Sequence, residues 1–336
     1  MTHHWINRRD WPNSNPGAKA MLAGATVLAG AAALVGYQTH AAETDHPARG
    51  SFVTVDGVRL RYLERGHGPT VVFIHGTGVS AEDFDVGDLL SATGERHRAI
   101  AIDRPGFGYS KRPWMRTWSA SAQAALLHDA FASLGLEKPI VVGHSWGALV
   151  ALALAADYPD DIAGLVLISG YYYPTTRIDV ALFSPAAVPV IGDLMRYTIS
   201  PLLGRAAAPE LVKKMFSPEA VPAAFEQHVP IALMTRPSQI RAAAEDAVHM
   251  TSSAQSLSPR YSEIRCPMTI IAGEADTIVK PEEQSRRLNQ EVRHSKLVMC
   301  AGAGHMLHHT NAPRVLEEID ALTPTVETER QREAQL

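Results

Sequence analysis

Cysteine is almost missing. Cys266 and Cys300 are the only two in 336 residues, which excludes a disulfide-stapled scaffold and a Cys-based zinc module. A single bridge is not expected either. Cys266 opens one apolar run and Cys300 closes the next, so in a parallel pair they sit at opposite ends, well beyond the roughly 7 Å that a disulfide spans. An excess of either charge is absent too: 31 Lys and Arg stand against 35 Asp and Glu, a net of −4. The two signs are interspersed, which gives no footing for nucleic acid. The 15 histidines are scattered, and no H-x-x-x-H or Cys/His spacing suggests a metal. No metal and no cofactor is expected.

Long uncharged apolar runs are also rare, with one exception. Ala18 to Tyr37 is nearly all Ala, Val, Leu, Met and Gly, and Arg8 and Arg9 precede it. It approaches the length of a bilayer span with positive charge before it. The expectation is an exported or membrane-anchored protein, with the body outside the cytoplasm and membrane association through residues 18–37. Cleavage near His40 to Ala42 and a buried Ala-rich helix in a cytoplasmic protein are the alternatives. Residues 1–49 are read as polar leader, apolar segment and linker, the linker beginning near Ala42.

The whole chain has 46% hydrophobic residues, enough for one large α/β body with an insertion. Phe52–Val55 and Val58–Leu63 flank Asp56-Gly57, a hairpin signal. Val71–Ile74, Ala99–Ile102, Pro139–Val142, Leu165–Ile168, Met268–Ala272 and Lys296–Met299 are continuous apolar runs, as strands covered on both faces should be. Helical patterns separate them. One is capped by Ser119 and stopped by Gly135, and another is thinned by Ala148, Ala151 and Ala155. This alternation predicts an α/β fold with a mostly parallel sheet. Between Gly170 and Ile264 it stops, giving way to prolines and helical patches such as the one around Phe183. The expected organisation is therefore a core of 50–170 and 264–322, a helical cap of 171–263 that roofs the site, and a frayed polar tail of 323–336. The last helix is expected over Asn311–Leu322.

The chemistry centres on Gly143-His144-Ser145-Trp146-Gly147. This G-x-S-x-G elbow turns a strand sharply into a helix and pushes one hydroxyl outward. A serine nucleophile needs a base, and the base needs an orienting group. Asp276 lies just past one later strand, ahead of a helix expected to open at Pro281. His305 follows the next strand, in Gly302-Ala303-Gly304-His305-Met306. Glu274 is the alternative carboxylate, while His308 and His309 are alternative bases set back in a helix start. The amide of Trp146 and that of Thr77, with Gly78 as the alternative to Thr77, are the expected oxyanion donors. His75 and His144 are read as packing behind the site, and Asp103 and Arg104 as organising their loop. Tyr171, Tyr172 and Met306 are candidates for the substrate lining.

In order and spacing, His75-Gly76-Thr77-Gly78, the Asp103–Ser110 loop, the elbow, Gly273–Pro281 and Gly304-His305 resemble the serine α/β-hydrolase superfamily. The resemblance is to its capped, esterase and C–C-hydrolase-like branch and covers about residues 50–322. It implies a Ser145–His305–Asp276 triad with no cofactor, acting on a small-molecule substrate. Haloalkane dehalogenases and epoxide hydrolases hold aspartate where Ser145 stands, so neither activity is implied. The expected reaction is cleavage of a carboxylic ester with a small to medium hydrophobic group, through an acyl-enzyme. The alternatives are carbon–carbon hydrolysis of a vinylogous diketone, a cofactor-free haloperoxidase or perhydrolase activity, and a non-catalytic ligand-binding protein.

Overall fold

The computed structural model describes residues 16–175, 184–188 and 190–333; Arg8, Arg9 and Phe183 lie outside them. The strands are β1 (Ser51–Val55), β2 (Val58–Arg65), β3 (Thr70–Ile74), β4 (Arg98–Ile102), β5 (Ile140–His144), β6 (Gly164–Ile168), β7 (Met268–Gly273) and β8 (Lys296–Cys300). They form one sheet in the order β1-β2-β4-β3-β5-β6-β7-β8. The β1–β2 and β2–β4 pairs are antiparallel, and every other pair is parallel. The hairpin turns at Asp56 and Gly57, both with positive φ, the backbone that a two-residue turn between right-twisted strands requires.

The continuous apolar runs are explained by burial on both faces. Val72, Ile74, Ile100, Ile102, Val141, Leu165, Leu167 and Ile270 pack into one hydrophobic layer. Their chain neighbours Val71, Phe73, Ala99, Ala101, Val142, Val166, Ile168 and Ile271 pack into the other. Successive side chains point to opposite faces, so a strand with helices on both sides needs an apolar residue at every position. Each Val, Leu, Ile or Phe among them contributes about 1.5–3 kcal/mol when fully buried.

The helices in chain order are α1 (Pro16–Asp45), α2 (Glu82–Val86), α3 (Leu89–Gly94), α4 (Ala120–Ser133), α5 (Trp146–Asp157), α6 (Ile191–Arg196), α7 (Ser200–Phe216), α8 (Ala223–His228), α9 (Ile231–Met234), α10 (Pro237–Leu257), α11 (Ser285–Glu291), α12 (Leu307–Thr310) and α13 (Ala312–Glu333). Ser119 caps α4 by accepting from the Ala122 amide. From Trp146 to Ala155, α5 is wholly buried; its alanines let it lie close against the sheet. Among the described residues between β6 and β7 the regular elements are helical, α6 to α10 and two short 3-10 turns.

Three boundaries differ from the sequence reading. Helix α1 runs to Asp45, so the linker does not begin at Ala42. The end of α1 is held by tertiary contacts: Val35 and Ala42 are buried, and Glu43 pairs with Arg236 at 2.7 Å. The last helix does not fray at Leu322 but continues to Glu333, through a run of Glu, Gln and Arg that favour helix. Helix α11 opens at Ser285 rather than Pro281. No disulfide joins Cys266 and Cys300, and the β7–β8 register pairs Gly273 with Cys300, at the far end of β7 from Cys266.

Candidate active site

Strand β5 ends at His144 and α5 begins at Trp146, which leaves Ser145 to make the whole turn. Its φ of 53° and ψ of −117° put a non-glycine residue in a strained region, at a cost on the order of 1–3 kcal/mol. Close packing holds it there. A Cβ on Gly147 would lie 2.1 Å from the Ile74 carbonyl oxygen, and one on Gly76 would lie 3.1 Å from Ser145 Cβ. The elbow and the end of β3 therefore fit together only because both positions lack a side chain. This contact also brings the Gly76-Thr77 turn beside the serine.

His305 follows β8 and Asp276 follows β7, both buried. His305 Nδ1 lies 2.8 Å from Asp276 Oδ2. The other carboxylate oxygen, Oδ1, accepts the amides of Ile278 at 2.8 Å and Val279 at 2.9 Å. Two backbone donors thus fix the carboxylate and leave Oδ2 for the imidazole. An ionised carboxylate only accepts, so Nδ1 carries the proton and Nε2 remains as a base.

His144, the residue before Ser145, joins the Ser145 turn to the His305 loop. Its Nε2 donates to the His305 carbonyl at 3.2 Å, and the two rings are 5.0 Å apart by centroid. The Ser145 amide donates to Ile168 at 3.0 Å, and its carbonyl accepts from Tyr171 at 3.3 Å. Ser145, Asp276 and His305 thus stand at the carboxyl ends of β5, β7 and β8, on one sheet edge. Among the described residues no hydrogen bond joins the Ser145 side chain to His305; such contacts are often loose without substrate.

The remaining candidates are distributed as follows. Trp146 is the first residue of α5, where an amide has no partner inside the helix. Thr77 and Gly78 are half-buried, with Gly78 at a φ of +87°. Glu274 is exposed, and His305 faces Asp276 instead. His308 and His309 turn away from Ser145 onto Asp83, at 2.9 and 2.8 Å. Tyr171 and Tyr172 belong to the main core. The Tyr172 ring packs against Gly170, where a Cβ would come within 2.3 Å of it, and its amide donates to Gln284 at 2.7 Å. Met306 packs with Val212, Phe216 and Phe225 of the helices between β6 and β7. A small cleft lined by Val79, Ser80, Tyr109, Leu233 and Met234 among others opens beside the Thr77 turn; neither Ser145 nor His305 lines it.

Behind the site, His75 Nε2 accepts the Arg104 amide at 2.9 Å while Nδ1 donates to the Gly76 carbonyl at 2.7 Å. Burial, reinforced by the Arg104 charge, holds this imidazole well below the ordinary histidine range. The Arg104 guanidinium bonds the carbonyls of His75 and Gly76 at 2.8 and 2.9 Å, Gln123 at 3.0 Å and Asp246 of α10 at 2.6 Å. Asp103 pairs with Arg61 at 3.1 Å and accepts the amides of Ala81 and Tyr109. These residues do organise their loop. Asp246 and Gln284 were not legible in the sequence, because no motif surrounds either.

A serine at a strained strand–helix elbow, an Asp-bound histidine on the same edge and a mostly parallel eight-stranded sheet define a protein of the α/β-hydrolase fold. The chain belongs to the alpha/beta hydrolase fold family, whose sequence profile matches residues 69–312. It is similar to haloalkane dehalogenase 2 of Mycobacterium tuberculosis, 29% identical over 38% of this chain and 43% of that one; the chain spans less than half the length of that relative. Among solved structures it is similar to an esterase from Thermogutta terrifontis, with a TM-score of 0.66 and 23% identity over 83% of this chain and 99% of that one. A membrane phospholipase A described as a bacterial virulence factor superposes with a TM-score of 0.63 and 21% identity, over 93% of this chain and 97% of that one.

Proposed function

We propose that this hydrolase cleaves carboxylic esters with a small to medium hydrophobic group, using Ser145 as nucleophile. The observation that carries the reading is the 2.8 Å contact between His305 and Asp276 at the sheet edge where Ser145 occupies the elbow. His305 Nε2 takes the hydroxyl proton, and Ser145 Oγ attacks the ester carbonyl. The Trp146 and Thr77 amides hold the oxyanion, each worth roughly 3 kcal/mol in the transition state. The alcohol leaves with the proton from His305. Water deprotonated by the same imidazole then releases the acid and restores the serine. Asp276 stays ionised and holds the imidazole tautomer.

A hydrophobic acyl or alcohol group suits the apolar surroundings of the base, where Met306, the residue after His305, packs with Val212, Phe216 and Phe225. The esterase and phospholipase likenesses support ester chemistry. Helix α1 is long and apolar enough to cross a bilayer, and Met21, Leu22 and Val27 are exposed. It is read as the anchor of a membrane-bound enzyme.

The test is Ser145→Ala in the full chain, assayed on p-nitrophenyl esters of increasing acyl length. Turnover is expected to vanish while the circular dichroism spectrum is unchanged, and the wild type is expected to prefer longer acyl groups over acetate. Turnover that survives Ser145→Ala sinks the reading.

A further inference from the structure

Behind the elbow lies a buried group of side chains that the hydrolytic chemistry does not use. Asp83 of α2 is met by two consecutive histidines of α12. His308 Nε2 is 2.9 Å from Asp83 Oδ2, and His309 Nε2 is 2.8 Å from Asp83 Oδ1. All three side chains are nearly inaccessible, and their ligand atoms lie within 4.8 Å of one another. A fourth ring faces the same carboxylate: His144 Nδ1 is 3.9 Å from Asp83 Oδ2 and is buried without a hydrogen-bond partner.

The tautomer of His144 gives this arrangement its meaning. Its Nε2 faces the His305 carbonyl at 3.2 Å, and a carbonyl only accepts, so the proton sits on Nε2. Nδ1 is then a bare lone pair directed at a carboxylate, acceptor against acceptor. A histidine whose one nitrogen donates to a backbone carbonyl while the other is left bare is oriented as metal-ligating histidines are.

We propose that Asp83, His144, His308 and His309 form a closed, structural divalent-metal site suited to Zn2+. Three imidazoles and one carboxylate match the nitrogen and oxygen donors zinc takes in a tetrahedral shell. With metal–ligand lengths of about 2.0–2.2 Å, the edges of such a shell are roughly 3.3–3.5 Å. His309 and His308 reach the two different oxygens of Asp83 at 2.8 and 2.9 Å, and His144 Nδ1 stands 3.9 Å from one of them, so closing the shell on one ion requires His144 to move inward onto the Asp83–His308–His309 group, whose ligand atoms already lie within 4.8 Å of one another. All four positions are filled from the chain, which leaves no opening for substrate and makes the ion structural.

The position of the site explains what it would do. Asp83 follows the Thr77 turn, His144 precedes Ser145, and His308 and His309 follow His305. One ion there ties together the three loops proposed to supply the oxyanion donor, the nucleophile and the base. The proposal reverses the expectation of no metal and stands apart from the ester-hydrolase reading.

The experiment uses the full chain in detergent, stripped with a chelator, reloaded with Zn2+, dialysed, and analysed for metal content and melting temperature. About one Zn2+ per chain is expected, with a melting temperature several degrees above that of the stripped protein, since an ion bound only by the folded state stabilises it. Mg2+, which prefers oxygen ligands, is expected to give no such rise. His309→Gln and Asp83→Asn are each expected to lose the ion. Should both variants misfold, Co2+ substituted into the wild type is expected to show the visible bands of a tetrahedral, nitrogen-rich shell. A folded wild type that retains no Zn2+ and melts equally with Zn2+ and with chelator overturns the proposal. A folded His309→Gln or Asp83→Asn that keeps its full zinc content also overturns it.

Discussion

His305 Nδ1 and Asp276 Oδ2 are 2.8 Å apart, between loops that follow adjacent parallel strands. The carboxylate is anchored from behind by the amides of Ile278 and Val279, so the imidazole accommodates to Asp276 and not the reverse. Asp276→Asn keeps the size of the side chain but can present its NH2 group to Nδ1, which favours the wrong tautomer. A fall in kcat on the order of 10³–10⁴-fold is expected, with little change in KM. Steady-state kinetics on p-nitrophenyl butyrate, with a melting curve to exclude unfolding, checks this.

Arg104 and Asp246 are both wholly buried and 2.6 Å apart, which joins the loop after β4 to α10. Removing one partner strands a charge in a dry interior. Asp246→Ala is expected to destabilise by about 3–5 kcal/mol, because Arg104 and Arg112 both lose a buried partner. Urea denaturation of Asp246→Ala beside the wild type decides the matter; a loss below about 1 kcal/mol would refute it.

His75 gives a pH dependence with a definite sign. It is neutral in the fold because Nε2 accepts from the Arg104 amide and because burial and the Arg104 charge oppose a second proton. The unfolded chain takes up that proton as pH falls below about 6.5. The stabilisation is therefore complete above that value and is lost as the solution is acidified, at up to about 1.4 kcal/mol per pH unit. His75→Gln, whose amide can also donate to Gly76 and accept from Arg104, is expected to lessen the loss. Melting temperatures between about pH 7.5 and 5.5 measure it; identical slopes for the two proteins would contradict the assignment.

Gly147 tests the packing of the elbow. A methyl group there would meet the Ile74 carbonyl at 2.1 Å, and backbone cannot swing aside as a side-chain end can. Gly147→Ala is expected to cost about 3 kcal/mol or more. It should also lower kcat, because relief of the clash moves Ser145. Gly57→Ala, in a hairpin turn where a Cβ meets nothing within 4 Å, is the comparison, with strain there arising only from its φ of +72°.

The sequence by itself determined the elements and their order. Runs such as Val71–Ile74 and Leu165–Ile168 specify strands covered on both sides because strand geometry alternates faces at every residue. Asp56-Gly57 fixes a hairpin, and Gly143 to Gly147 fixes the elbow, because local backbone sterics act over a few residues. The order serine, aspartate, histidine was legible for the same reason: each follows a strand that its own neighbours define.

Only the tertiary structure decided between Asp276 and Glu274, since the two differ by which side of one loop faces His305. The pairing of Asp83 with His308 and His309, and of Arg104 with Asp246, likewise came from sheet topology, which joins residues more than a hundred positions apart without leaving a local pattern. The same reasoning accounts for Tyr172, which packing places in the core. Short-range stereochemistry is written into neighbouring residues. The meeting of distant side chains depends on how every layer packs, and no stretch of the chain encodes it alone.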